Sequence, residues 1–305
     1  MVKPNTLAAV IHAYLASQKF RDLAPATQTT YRIYLRGAED EGGIGGLPVA
    51  VLTVPLVQSF LDGLAMKPGA QARARVALRA VERWALRRGL MPFPITVGTE
   101  TTKSEGGHKP WTDAQVAIAE HYAPPYIARI ITLAANTGQR GSDLCRMTWA
   151  DIEEIEGRPG INVTQQKTGL QIWVPMTQAL MAAIQTWERR PTPFLLRYDG
   201  KPWSHRKEMS EAWLRERDRN EKLKPCAGMV LHGLRATAVI RLRRAGAPPT
   251  MISDMIGLSP RMIERYCRLA DRKQSALAAV HYLDRMEPGT EHAQNKNDRK
   301  ASGDH

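Results

Sequence analysis

Apolar residues recur at helical spacing along most of the chain. Near the N-terminus, Leu7, Val10, Ile11 and Tyr14 fall on one side of a helix. Thr112 and Gln115 have the spacing of a capping box at the start of a later helix. The periodicity predicts helices over residues 54–64, 69–88, 113–121, 126–137, 178–189, 204–220, 231–245, 250–256, 261–269 and 273–285.

Short strands interrupt this helical pattern in the middle of the chain. They are predicted over residues 151–155, 161–166 and 171–174, with a turn at Thr168-Gly169 joining the last two. The predicted fold class is therefore mainly α, with a helical N-terminal domain and an α-rich second domain that carries a small three-stranded antiparallel sheet.

The domain boundary is predicted from composition. Residues 92–110 are rich in Pro, Gly, Thr and Ser and lack periodicity, which is typical of a linker. The predicted domains are residues 1–91 and 111–286, followed by a polar, disordered tail over 287–305. Since the first helices begin almost at the N-terminus, no additional domain is expected ahead of them.

Composition narrows the class of partner. The chain has 305 residues, with 43 Lys and Arg against 30 Asp and Glu, a net charge of +13. A basic surface attracts polyanions, although a GC-rich genome also enriches arginine. There is no apolar run of the ~18 residues that a membrane span needs. The N-terminal segment has neither a long apolar core nor a small-residue cleavage site, so secretion is not expected. Three widely spaced cysteines suit a reducing, cytoplasmic location.

One predicted helix carries a basic stripe. Four arginines recur every four residues beside an apolar face, and Glu82 is the one opposite charge nearby. Such a stripe is either a solvated helix face or a surface that follows a nucleic-acid backbone. The arginines are Arg75, Arg79, Arg83 and Arg87.

Several familiar catalytic patterns are absent. The sequence has no Gly-rich phosphate loop, no dinucleotide fingerprint, no HExxH, no GxSxG and no metal-ligand spacing among its eight histidines. No cofactor and no metal are therefore predicted. Four short signals remain, each of which has an ordinary structural explanation by itself: TGQRGSDL at 137–144, QKTG at 166–169, HGLR at 232–235, and Tyr266.

Taken in order, these four signals resemble the tyrosine recombinase (phage integrase) family, and the resemblance covers nearly the whole chain. It implies a core-binding domain followed by a catalytic domain, which together form a C-shaped clamp around duplex DNA. It also implies site-specific strand exchange in a tetramer, through a 3′-phosphotyrosyl intermediate and without a metal or nucleotide cofactor.

The resemblance assigns a role to each candidate residue. Tyr266 would be the nucleophile, Arg140 and Arg235 would bind the phosphate oxygens, and Lys167 would protonate the leaving 5′-oxygen. His232 would act in proton transfer and phosphate binding, and Asp143 would orient its neighbours. Cutting a phosphodiester without a metal does require a nucleophile, cationic donors and an acid.

One position departs from the family pattern. The family usually has a His or Trp shortly before the nucleophile, whereas this chain has Leu258 followed by Ser259. Leu258 cannot donate a hydrogen bond, so either Ser259 or another residue fills the role, or the site works without it at a reduced rate.

Further expectations concern DNA contact and assembly. Arg241 and Arg244 would extend the contact with the DNA backbone. The helix over 273–285 either caps its own domain or, as the family implies, docks on a neighbouring subunit in a tetramer on DNA. In solution the protein is expected to be a monomer. Accessory DNA-bending proteins are a further expected partner.

The role that the resemblance predicts is integration or excision of a mobile element, in a bacterial cell or a phage-infected host and in association with the nucleoid. The alternatives are a resolvase, a relaxing type IB topoisomerase-like enzyme, a catalytically weakened DNA-binding protein of the same fold, and an unrelated helical nucleic-acid-binding protein with coincidental motifs.

Overall fold

The protein, seen here in a computed structural model, divides into two compact units, Met1–Gly107 and His108–His305. The structure describes residues 3–39, 43–102, 108–189 and 193–284; in the last helix it omits the side chains of residues 269–271, 273–275, 278, 281 and 282. The tail predicted over 287–305 lies outside the described residues. Among the described helices, none has the length and apolar character required to cross a bilayer.

The described part of the first unit consists of α-helices and a 3-10 turn at Val49–Val51. The helices predicted over 54–64 and 69–88 are present as α4 and α5, and most of their apolar positions face the core. The helices are α1 (Leu7–Leu15), α2 (Gln18–Arg21), α3 (Pro25–Glu39), α4 (Val54–Asp62) and α5 (Pro68–Leu86).

Helix α5 holds the chain that follows it against the first unit. Its Glu82 side chain is buried and accepts hydrogen bonds from the backbone N–H groups of Ile95, at 2.6 Å, and Thr96, at 2.5 Å. Met91 and Ile95 are buried in the same core. The start of the segment predicted as a linker, 92–110, therefore packs on the first unit, because Glu82 satisfies its backbone and the core takes up its apolar side chains.

The described part of the second unit is also mainly helical. Thr112 and Gln115 form the predicted capping box at the start of α6. The helices are α6 (Asp113–Tyr122), α7 (Pro125–Thr137), α8 (Gly141–Leu144), α9 (Gln178–Gln185), α10 (Arg206–Arg219), α11 (Gly233–Arg244), α12 (Pro249–Ile256) and α13 (Pro260–Asp284), with 3-10 turns at Trp149–Asp151 and Glu221–Cys226.

A three-stranded antiparallel sheet lies between α8 and α9 in the sequence, in the order β1-β2-β3. Its strands are β1 (Ile152–Ile155), β2 (Arg158–Thr164) and β3 (Gln171–Pro175). Ile161 of β2 pairs with both Ile152 and Val174, and the side chains of Ile161 and Val174 are fully buried. The mainly helical fold with one small sheet confirms the predicted fold class.

Three predicted helix boundaries were wrong. The helices predicted over 261–269 and 273–285 form one continuous helix, α13, because no Gly or Pro separates them. The helix predicted over 178–189 ends at Gln185, where the hydroxyl of Thr186 bonds back to the Ala183 carbonyl. The helix predicted from 231 begins at Gly233, so His232 precedes it.

Candidate active site

The position of Arg140 depends on Gly138, which has a left-handed backbone conformation. Gly138 ends α7 with φ 63°, and a Cβ there would lie 2.9 Å from the Ile256 side chain. Two residues later Arg140 occupies the N-cap position of α8 with extended backbone, and 19% of its side chain is exposed. The close packing of Gly138 on α12 therefore directs the chain so that Arg140 lies at the edge of the core.

The Arg235 guanidinium is buried, with 2% exposure. Its Nη1 donates to the Gly138 carbonyl at 2.7 Å, and its Nη2 donates to the Ile256 carbonyl at 3.2 Å and the Gly257 carbonyl at 3.4 Å. Burial and then the charge of Arg140 lower the pKa of Arg235 to about 10, while Tyr266 and Asp143 oppose the shift. Arg235 stays protonated at neutral pH, next to a second cation that repels it.

Asp143 connects Arg140 to the hairpin that carries Lys167. Its side chain is fully buried, and its Oδ1 accepts from the backbone N–H of Gln166 at 3.0 Å. Its Oδ2 lies 3.9 Å from Arg140 Nη1. Lys167 is exposed in the turn between β2 and β3. The carboxylate thus contacts both elements, as a residue that orients its neighbours would.

Two buried glutamines that the sequence analysis missed complete this cluster. Gln165 is fully buried, and its Oε1 accepts from Arg140 Nη1 at 2.7 Å. Its Nε2 donates to Gln139 Oε1 at 2.9 Å and to the Ile256 carbonyl at 2.8 Å. Gln139 lies within the first motif and Gln165 directly precedes the second, but a glutamine in a single sequence gives no signal that its amide will be buried.

His232 lies at the edge of the same cluster, at the N-terminus of α11. The residue is in contact with solvent, and the His108 ring packs edge-on against its ring at a centroid distance of 4.8 Å. Partial burial, followed by the charges of His108, Arg235, Arg206 and Arg140, lowers the pKa of His232 to about 4. The imidazole is therefore neutral at pH 7. His108 and Arg206 were not predicted, since His108 falls in the segment interpreted as linker.

Tyr266 lies on α13, half-buried, and packs against the small core that α11, α12 and α13 share. It is close enough to Arg235 to raise the pKa of that residue. Leu258 is 8% exposed in the same small core, whereas Ser259 is exposed just before α13. Of the two residues predicted for the uncertain position, Ser259 is accessible and Leu258 is packed into the core.

The predicted DNA-contacting arginines lie in both units. On α5, Arg79 and Arg83 are exposed, as is Arg87 at its C-cap, while Arg75 is half-buried and donates to Thr99 Oγ1 at 2.9 Å. Glu82, interpreted as a charge beside this stripe, is instead buried. On α11, Arg244 is exposed and Arg241 forms an ion pair with Asp113 at 2.6 Å.

Comparison with known proteins agrees with this arrangement. The model of the phage integrase family matches residues 115–273, which is more than half of the chain and includes every candidate catalytic residue. The chain belongs to the phage integrase family. Within the described residues, no group of three or more His, Cys, Asp or Glu side chains is placed to hold a metal ion.

Individual relatives of this integrase-family chain extend the comparison. The integrase of Escherichia phage HK022 is 28% identical over 183 residues, which cover 58% of this chain and 49% of that protein. The chain thus spans about half the length of this relative.

Two solved structures show the same fold. A lambda integrase tetramer bound to a Holliday junction has a TM-score of 0.71 at 20% identity, covering 86% of this chain and 77% of that one. The Tn1549 transposon integrase in complex with circular intermediate DNA has a TM-score of 0.66 at 17% identity, covering 86% of this chain and 94% of that one.

Proposed function

We propose that this chain is a site-specific DNA recombinase that cleaves and rejoins duplex DNA through a 3′-phosphotyrosyl intermediate on Tyr266. The observation that carries the proposal is the cluster described above. Two arginines, Arg140 and Arg235, lie within electrostatic range of each other, and Tyr266 lies close to Arg235. The buried Asp143 carboxylate, 3.9 Å from Arg140, offsets one of the two charges, so the cluster keeps a net positive charge that a phosphodiester can neutralise.

We propose the following reaction, with the roles that the family resemblance gives to these residues. The Tyr266 hydroxyl oxygen attacks phosphorus, the bond between phosphorus and the 5′-oxygen breaks, and the phosphate stays attached to the tyrosine. The neutral imidazole of His232 accepts the tyrosine proton, and Lys167 protonates the leaving 5′-oxygen. Arg140 and Arg235 stabilise the charge that develops on the non-bridging oxygens. A 5′-hydroxyl of another strand then reverses these steps, so rejoining needs no ATP.

The surrounding residues have supporting roles in this proposal. Asp143 holds the Lys167 hairpin against Arg140, and the accessible Ser259 would donate the hydrogen bond that a ring donor supplies in other family members. The exposed arginines of α5, with Arg241 and Arg244, contribute salt-sensitive attraction to the DNA backbone. The first unit then serves as a core-binding domain and the second as the catalytic domain, and each contacts duplex DNA.

Assembly on DNA is a further part of the proposal. Lambda integrase has been solved as a tetramer on a Holliday junction, and α13 of this chain exposes apolar side chains at Leu277, Val280 and Leu283. We propose that this face docks on a neighbouring subunit when four chains assemble on DNA. Replacing Leu277 and Leu283 by Asp should then reduce assembly on DNA, measured by sedimentation, without lowering the affinity of one chain for one half-site.

The central experiment is capture of the covalent intermediate. Sheared DNA from the genome that encodes the chain is incubated with the protein, and denaturant-resistant protein–DNA adducts are recovered and sequenced. A duplex carrying the recovered site and a nick near the cleavage point then traps the adduct, because the short cleaved piece diffuses away. Wild type should form the adduct and Tyr266→Phe should not, while both bind the duplex equally.

Two outcomes would contradict the proposal. No adduct with wild type would favour the alternative that the chain binds and pairs DNA without cleaving it. An adduct that forms equally with Tyr266→Phe would exclude Tyr266 as the nucleophile. The sequences that flank the recovered site separate integration or excision from resolution, since direct repeats at a phage or transposon boundary indicate a mobile element.

A further inference from the structure

We propose that Gln165 is a positioning residue that fixes the Arg140 guanidinium relative to Arg235 and leaves its charge available to the phosphate. The inference rests on the proposed function, because it concerns the same phosphate. Gln165 has no accessible surface and reaches DNA only through Arg140.

The contacts of Gln165 use both ends of its amide. Its Oε1 accepts from Arg140 Nη1 at 2.7 Å and from the Thr168 hydroxyl at 3.1 Å. Its Nε2 donates to Gln139 Oε1 at 2.9 Å and to the Ile256 carbonyl at 2.8 Å. Because four partners fix the amide, the position of Oε1 is determined, and so is the place where Arg140 can donate to it.

The Ile256 carbonyl is a hydrogen-bond acceptor that Arg235 shares with Gln165, the residue that holds Arg140. It accepts from Gln165 Nε2 and also from Arg235 Nη2, at 3.2 Å. One backbone atom at the end of α12 therefore positions both arginines, Arg235 directly and Arg140 through Gln165, although the two lie 95 positions apart in the sequence. A displacement of Gln165 would change the spacing of the two guanidinium groups, and this spacing must match the phosphate oxygens.

The chemistry of an amide explains why glutamine suits this position. Arg140 and Arg235 repel each other, so Arg140 needs an acceptor to hold it before DNA binds. Arg140 already lies 3.9 Å from one buried carboxylate, that of Asp143. A second carboxylate at position 165, in direct hydrogen-bond contact with Arg140, would offset more of its charge and compete with the phosphate. An amide oxygen accepts the hydrogen bond without adding a second negative charge, so it does not weaken the attraction of Arg140 for the DNA any further.

The test is a double-mutant cycle on the rate of adduct formation. Gln165→Met keeps the length of the side chain and removes its hydrogen bonds. We expect the rate constant at saturating nicked duplex to fall about tenfold to a hundredfold, with unchanged affinity for the duplex. In an Arg140→Ala background, the same change should lower the remaining rate less than about threefold, because the group that Gln165 positions is gone.

A matched control separates positioning from loss of stability. Gln71 is also buried, in the first unit, where its Oε1 accepts from the Thr102 backbone. Gln71→Met should lower the melting temperature and leave the rate constant at saturating DNA unchanged. If Gln165→Met does not fold, Gln165→Glu replaces it, with the same expected loss of rate because its carboxylate neutralises Arg140.

The outcomes distinguish the two proposals. An adduct with wild type, together with a rate for Gln165→Met equal to that of Gln71→Met, would overturn the role of Gln165 alone. Effects of Gln165→Met and Arg140→Ala that multiply independently would also overturn it. No adduct with wild type would overturn the proposed function, and the role of Gln165 with it.

Discussion

Gly257 offers a sharp test of how tightly the candidate site is packed. It ends α12 with φ 70°, and a Cβ on it would lie 2.4 Å from Gln165 Nε2. Gly257→Ala therefore imposes two separate costs, a left-handed backbone at a residue with a side chain and a clash with a buried amide. Gly228 provides the matched control, since it has φ 75° and a Cβ on it would meet no heavy atom within 4 Å.

The magnitudes follow from the contacts. Both substitutions incur about 1–2 kcal/mol from the left-handed conformation. In Gly257→Ala, the Gln165 amide must also move away from Gln139 Oε1 and the Ile256 carbonyl, which it now bonds at 2.9 and 2.8 Å. Losing these two hydrogen bonds costs about 0.5–1.5 kcal/mol each, so Gly257→Ala should be about 1–3 kcal/mol less stable than Gly228→Ala.

Thermal unfolding followed by circular dichroism measures the difference. For a domain of this size, it corresponds to a midpoint about 2–12 °C lower for Gly257→Ala than for Gly228→Ala. Adding Gln165→Ala to Gly257→Ala removes the obstructing amide, so the two changes together should cost less than the sum of their separate costs. Equal midpoints for the two glycine variants, or strict additivity in the double variant, would refute the argument.

Three further predictions concern other parts of the molecule. Glu82→Leu leaves two buried backbone donors unpaired and should lower the free energy of unfolding of the first unit by about 2–6 kcal/mol. Glu82→Gln keeps an acceptor and should lower it much less. Denaturant titration of the two variants measures the difference. The folded structure lowers the pKa of His232 from its ordinary 6.5 to about 4. Between these two pH values the unfolded chain binds a proton that the folded chain does not, so the free energy of unfolding should fall as the pH falls from about 6.5 to 4. Thermal melts of His232→Asn should show a weaker decline over the same range. Replacing Arg79 and Arg83 by Gln should reduce the slope of log affinity for duplex DNA against log salt by about 1.8 if both contact phosphates, and an unchanged slope would make the stripe a solvated face.

The sequence predicted the type of most elements because their apolar residues are periodic. Leu7, Val10, Ile11 and Tyr14 are all buried on α1, as their spacing requires. The capping box of Thr112 and Gln115 is local, so it could be identified directly from the sequence. The break predicted between residues 269 and 273 was wrong because a change in apolar pattern does not end a helix without Gly, Pro or a capping residue.

The sequence by itself also determined the order of the motifs around Arg140, Lys167, His232, Arg235 and Tyr266, since residue type and spacing are enough to compare with a family. It did not reveal how these side chains are held. Only the tertiary structure decided that Arg235 is buried against three carbonyls, that Glu82 points into the core, and that Gln165 contacts Arg140. The physical reason is that these hydrogen bonds join atoms far apart in the chain, and a polar residue carries no local signal of which distant backbone or amide group will satisfy it once water is excluded.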